Sequence, residues 1–220
     1  TLIAVSQNCA QTYASFTSID AVIYNGLSVA RVPFQADIPA DAPLLFVGRI
    51  SPEKGVETAI NIAERAGRPL RIIGGIYNQS YYHQKIAPRI ARSAATISYL
   101  GLMEREQVWE NMGQAAGLLC PVAWDEAFGL TSIEAMACGT PVIAFRRGAM
   151  EEVILHGQTG FLATPDDEKL AAEFAARLPE ISRARCREYV EERFSLEKMI
   201  SAYEQLYQRC IARSNLPGIA

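Results

Sequence analysis

The sequence predicts an α/β fold: a parallel sheet with helices on both faces. Short apolar runs recur from Leu44 onward, helical patterns separate them, and Gly or Pro marks many of the joints. Repeated β-α units of this size build a parallel sheet whose strands are buried on both sides. In order, residues 1–24 read as strand (2–5), short polar helix and strand (21–24), closed by the turn Asn25-Gly26. Residues 31–43 are rich in Pro, Ala and Asp and read as a linker. Residues 44–47 form a strand. Val56, Ala59, Ile60 and Ala63 follow at helical spacing until Gly67 and Pro69 stop the helix. A strand at 70–73 ends in Gly74-Gly75, and a Tyr-rich loop and helix run on to Arg92. Then come a strand at 96–100, a helix at 107–115, strands at 118–121 and 142–145, a short helix at 149–155 and a strand at 160–163. From Asp166 to Arg213 the pattern is nearly all helical, broken at Pro179 and at Phe194-Ser195. In such sheets ligands bind at the carboxyl ends of the strands, which directs attention to the loops 48–55, 74–77, 100–103 and 121–130.

Composition narrows the function. The chain has 220 residues, half of them hydrophobic and a fifth charged, which suits one full domain plus further elements. A net charge of −3 excludes nonspecific nucleic-acid binding, which requires a basic face. No apolar run approaches a transmembrane span. Residues 1–5 have no basic region before them and make a poor signal peptide; without an initiator Met, the chain reads as a fragment or processed product. Five cysteines with no C-x-x-C pair fit a reducing cytoplasm. His83 and His156 lack partners at metal-ligand spacing, so no zinc site is expected.

Two segments carry chemistry. Gly48-Arg49-Ile50-Ser51-Pro52-Glu53-Lys54-Gly55 joins a strand to a helix, with Ser51-Pro52 as a helix entry. Its cations, Arg49 and Lys54, read either as solvated surface charges or as a pair converging on a diphosphate. The second segment runs from Glu126 to Glu134. Gly129 permits close backbone approach, and the first amides of the following helix, at Leu130 and Thr131, attract anions. Glu134 falls on the same helical face as Leu130 and can accept from both hydroxyls of a ribose. Glu126, ahead of the helix, can accept from sugar hydroxyls. Phe128 and Leu130 also read as core residues. A ligand with hydroxyls at one end, phosphate in the middle and ribose at the other is a nucleotide sugar.

These residues resemble the C-terminal, donor-binding domain of the family 4 retaining glycosyltransferases (group 1, GT-B architecture). Gly48-Arg49-x4-Lys54-Gly55 is similar to that family's diphosphate loop, and Glu126-x7-Glu134 around Phe128-Gly129-Leu130 to its E-x7-E signature. Cys138-Gly139-Thr140-Pro141-Val142, Thr159-Gly160-Phe161 and Tyr203-Glu204-x2-Tyr207 extend the resemblance over nearly the whole chain. Departures fall at Ala127 and at Gly74-Gly75-Ile76, where the family often has Gly and Gly-Asp-Gly.

The resemblance implies a Rossmann-like domain that transfers a sugar from a nucleotide diphosphate donor with retention. It implies residues 1–30 as the end of an acceptor domain plus hinge, 31–43 as linker, 44–194 as the donor domain and 195–220 as a C-terminal helix and tail. Arg49, Lys54 and Glu126 take the catalytic positions. Gly48, Gly74, Gly101, Leu102, Phe128, Gly129, Leu130, Thr131 and Glu134 hold the donor, with Gly101 and Leu102 near the base. No cofactor or metal is implied; Asp166-Asp167-Glu168 reads as a helix start. The implied partners are the donor and a glycan, lipid or small-molecule acceptor, in the cytoplasm and at the membrane surface if the acceptor is a lipid. A nucleotide-sugar epimerase, or a binding module without catalysis, are the competing readings.

Overall fold

A computed structural model describes residues 1–93 and 96–214, with side chains as far as 212. Its centre is a six-stranded, all-parallel sheet in the order β5-β4-β3-β6-β7-β8. The strands are β3 (Leu44–Val47), β4 (Leu70–Ile73), β5 (Ile97–Gly101), β6 (Gly117–Cys120), β7 (Val142–Phe145) and β8 (Gly160–Ala163). β1 (Ile3–Ala4) and β2 (Ala21–Val22) form a separate two-stranded parallel sheet around the helix α1 (Gln7–Tyr13).

The helices follow the predicted pattern. α2 (Val56–Ala66) buries Val56, Ala59, Ile60, Ile62 and Ala63, and packs against α8 (Glu168–Arg177). The Tyr-rich segment is an interrupted helix: α3 (Gln79–Tyr81), a π turn over Tyr82–Ile86, and α4 (Ala87–Arg92). α5 (Arg105–Gln114) begins with a reciprocal capping box between Glu104 and Gln107. α6 (Leu130–Ala137) and α7 (Met150–Val153) follow β6 and β7, and α9 (Arg183–Phe194) and α10 (Leu196–Ser214) close the described chain. The predicted tail 215–220 lies outside the described residues.

The strand order explains the position of the site. β3 is hydrogen-bonded to β4 on one side and to β6 on the other, with Leu44 opposite Leu70 and Gly117. The connections after β3 and β6 therefore leave in opposite directions and open a crevice at their carboxyl ends. The loops that leave there are 48–55 and 121–129.

Several local expectations change, most of them by one or two residues at an element's end. Ser51 does not cap a helix. Its hydroxyl donates to the Glu53 carboxylate at 2.7 Å, the 3-10 turn Pro52–Lys54 follows, and α2 starts only after Gly55. The strand expected at 96–100 runs one residue later, to Gly101.

Residues 31–43 are fastened to the domain. Val32 and Ala42 are buried, and two arginines of α9 hold the backbone. Arg183 donates to the carbonyls of Gln35, Gly113 and Ala115, and Arg187 to those of Val29, Val32 and Ala137. The N-terminal piece is tied down near the crevice. Ser6 caps α1 and donates to the Ala127 carbonyl at 2.7 Å. Glu152 accepts from the backbone amides of Gln7 and Asn8 and from the Tyr24 hydroxyl.

Candidate active site

The 48–55 loop supplies the cations. The Arg49 guanidinium lies 3.8 Å from Glu53 and 4.8 Å from the centroid of the Tyr77 ring. The hydrogen bond from Ser51, joined by one from its own backbone amide, holds the Glu53 carboxyl below the usual carboxylate range. Glu53 therefore stays charged beside Arg49. The Lys54 ammonium sits 2.8 Å from Glu126 Oε2 and 4.7 Å from the Trp124 ring centroid. This ion pair is sheltered, with side-chain exposures of 22% and 16%, so solvent screens it less than a surface pair.

The 121–129 loop supplies the opposite wall. A hydrogen bond from Ala123 N to Glu53 O (3.0 Å) fixes it against the first loop. Gly129 adopts φ 92°, a left-handed conformation that costs a residue with a side chain roughly 1–2 kcal/mol. No side chain caps α6, so the first-turn amides at Leu130 and Thr131 have no partner within the helix. Phe128 is buried among Tyr24 and Phe194, at centroid distances of 6.1 and 5.6 Å, and anchors the loop.

Between these walls lies a cleft of about 440 Å³. Gly48, Arg49, Lys54, Glu126, Phe128, Gly129, Leu130 and Thr131 all line it. Phe46, Leu118, Leu119 and Cys120 contribute apolar surface, and burial pushes the Cys120 thiol up to about 11, leaving it neutral there. Val5 and Asn25 come from the N-terminal piece. A cleft with two cations, open helix amides and a carboxylate at one side can bind an anion in its middle and hydroxyls beside it.

Four predicted residues lie outside this lining. Gly74, Gly101 and Leu102 make an adjoining shelf at the ends of β4 and β5. Gly48 N donates to Ile73 O, Ile50 N to Gly75 O, and Gly74 N to Gly101 O, so the shelf is continuous with the Arg49 loop. Leu102 is 82% exposed on it. Glu134 lies in the second turn of α6, half-buried against α5. Burial pushes its carboxyl pKa up, while Arg105 and Trp109 pull it back in part. The Trp109 indole N–H is buried and has no hydrogen-bond partner of normal geometry.

That shift has a consequence for stability. A raised carboxyl pKa in the fold disfavours folding only where the group is ionised. The penalty is absent below the ordinary carboxylate range, grows as pH rises above it, and is complete once pH has passed the raised value. Glu134→Gln should therefore melt higher than the parent at pH 7, with the gain vanishing below about pH 4. Thermal melting across that pH range checks this; an equal gain at both ends would refute it.

Sequence reading missed Trp124 as a partner of Lys54, and Asn25 and Val5 as lining residues. The available signal was a large aromatic two residues before Glu126 in a loop. Asp166-Asp167-Glu168 is a helix start, as read. Asp167 accepts from Leu170 N, Asp166 pairs with Arg147 at 2.7 Å, and Glu168 meets Asn61 and Arg65. Among the described residues, no group of three His, Cys, Asp or Glu is arranged to hold a metal. No helix among them is long and apolar enough to cross a membrane.

Comparison with known proteins identifies the family and the fold. The model of the family described as glycosyl transferases group 1 matches residues 33–193. A glycogen synthase of Mycobacterium tuberculosis is 31% identical over 200 residues, covering 84% of this chain and 47% of the relative. An N-acetyl-alpha-D-glucosaminyl L-malate synthase of Bacillus anthracis is 46% identical over 88 residues, 37% of this chain and 23% of the relative. Sucrose-phosphate synthase from Thermosynechococcus elongatus superposes with a TM-score of 0.82 at 25% identity, over 96% of this chain and 58% of that one. Anabaena Alr3699/HepE, solved in complex with UDP-glucose, has a TM-score of 0.79 at 20% identity over 96% of this chain and 63% of its own, and supports the fold alone. The chain thus spans about half the length of the first of these relatives. With the parallel sheet, the crevice and the family match in agreement, the chain belongs to the group 1 glycosyltransferases and carries a Rossmann-like domain of their GT-B architecture.

Proposed function

We propose that this chain is the donor-binding part of a retaining hexosyltransferase, and that a nucleotide diphosphate sugar lies across the cleft between residues 48–55 and 121–131. The observation that carries this reading is the convergence of Arg49, Lys54, Glu126 and the open N-terminus of α6 on one cleft. The diphosphate sits between the cations and the α6 amides. Glu126 accepts from the sugar hydroxyls. Glu134 accepts from the ribose, and the shelf of Gly74, Gly101 and Leu102 borders the base.

Departure of the sugar adds negative charge to the diphosphate, so catalysis is mainly stabilisation of that leaving group. A cation about 4 Å away is worth about 4 kcal/mol at an effective dielectric near 20. A helix N-terminus is worth roughly 0.3–1 kcal/mol, and at most about 2. Arg49 and Lys54 therefore dominate, and the amides orient the phosphates. With two cations in that role, the reaction calls for no metal. In the free cleft Lys54 is neutralised by Glu126. The arriving donor takes over both partners, phosphate on the ammonium and hydroxyl on the carboxylate.

The acceptor, a glycan, lipid or small molecule, is held mainly outside this cleft, in the cytoplasm or at a membrane surface. The 220-residue chain should then bind nucleotide diphosphate yet transfer sugar poorly. A thermal-shift series with UDP, GDP, ADP and their sugars tests the reading. At about 100 times its dissociation constant, a true ligand stabilises by about 2.7 kcal/mol, a shift of several degrees. No shift with any nucleotide would end the proposal.

A further inference from the structure

Each cation in the cleft has a second partner that is aromatic. Arg49 lies over Tyr77 and Lys54 over Trp124, at 4.8 and 4.7 Å from the ring centroids. Both rings are well exposed, 71% for Tyr77 and 41% for Trp124, so neither is there to fill the core. Both are tethered to the loop that carries the cations. Tyr77 N donates to Ile50 O, and Ala123 N, one residue before Trp124, donates to Glu53 O. The backbone that carries each ring is thus tethered beside the 48–55 loop.

The two kinds of partner act differently. A carboxylate neutralises a cation and competes with an incoming phosphate. An aromatic face attracts a cation through its quadrupole and leaves its charge available. Long Arg and Lys side chains lose considerable rotamer freedom when ordered, and a ring face removes part of that loss before the ligand arrives. Tryptophan is the strongest such face, and it sits under the more flexible lysine.

We propose that Trp124 and Tyr77 are positioning residues that hold Lys54 and Arg49 aimed into the cleft for a diphosphate group. The proposal rests on the donor-site reading above and adds residues to it. In the ligand-free cleft the rings keep the cations extended. When a diphosphate binds, Lys54 leaves Glu126 and stays on Trp124, and Arg49 leaves Glu53 and stays on Tyr77.

Calorimetric titration of the 220-residue chain with UDP, GDP and ADP in turn tests this, using Trp124→Phe, Trp124→Leu, Tyr77→Phe and Tyr77→Leu. The Leu variants keep apolar bulk but lose the ring; the Phe variants keep a face. The tightest of the three nucleotides should bind the Leu variants about five- to thirtyfold more weakly, with the Phe variants recovering most of the affinity. Thermal melting of the free variants should remain near the parent value, since both rings are exposed. Leu variants that bind as well as the Phe variants, or variants of both kinds that bind like the parent, would overturn the positioning role while leaving the donor site standing. Failure of the parent chain to bind any of the three would remove the donor site itself.

Discussion

Lys54→Ala is expected to lower turnover of the full-length enzyme by about 10²–10³-fold, the size seen when a preorganised partner of developing charge is removed. Lys54 is the less exposed of the two cations, with a side-chain exposure of 22% against 48% for Arg49. Its field is therefore less screened, and its loss should cost more than Arg49→Ala. On the proposed donor pose the variant also leaves Glu126 facing the diphosphate without its counter-charge, which adds repulsion to the lost attraction. The double variant Lys54→Ala/Glu126→Gln separates the two effects: it should recover part of the affinity for nucleotide diphosphate but not the rate. Steady-state kinetics with the donor varied gives the readout. Loss of a leaving-group partner lowers kcat and kcat/KM together, whereas loss of ground-state binding alone raises KM. A near-normal kcat in Lys54→Ala would show that the ammonium does not face the leaving group.

The sheet was legible because its strands are apolar runs separated by well-marked helices. Leu44–Val47, Leu70–Ile73, Val142–Phe145 and Gly160–Ala163 fall where the pattern puts them. Helix ends with a backbone cause, such as Gly67 in the left-handed region, were legible for the same reason. The local capping at Ser51 was not. Its hydroxyl had a choice between helix amides and a carboxylate two residues on, and Gly55 delays the helix so that the carboxylate wins. The cations and Glu126 could be placed at the same sheet end, because loops after parallel strands share that end. Their pairing could not. The Lys54–Glu126 bond spans 72 positions and depends on β3 lying beside β6, a neighbour relation that periodicity does not encode. The aromatic partners were hidden for a related reason. A ring in a loop shows which cation it faces only when the loops are packed together. Glu134 shows the limit of helical-face arguments: four residues beyond Leu130 places it on that face, but one turn deeper, where α5 partly buries it.

Gly55→Ala is expected to cost about 3 kcal/mol of folding stability and to open the donor cleft. Gly55 adopts φ 76°, a left-handed conformation that penalises a side chain by roughly 1–2 kcal/mol. A Cβ at this position would fall 2.0 Å from the Pro121 carbonyl oxygen and 2.9 Å from its carbon. Both contacts are backbone, so relief requires the two loops to separate, an overpacking cost of about 1–3 kcal/mol. Those loops carry Lys54 on one side and Glu126 on the other, and the 2.8 Å ion pair between them lies within a few residues of the clash. Gly67→Ala makes a matched control. It has nearly the same backbone conformation, φ 63°, but no atom stands within 4 Å of the added Cβ. It should cost only the conformational part, about 1–2 kcal/mol, and leave nucleotide binding unchanged. Urea unfolding of both variants should show lower midpoints with unchanged slopes, because the surface exposed on unfolding is the same. The difference between them measures how tightly the 48–55 and 121–129 loops are pressed together. Equal losses in the two variants would mean that the loops can part at no cost.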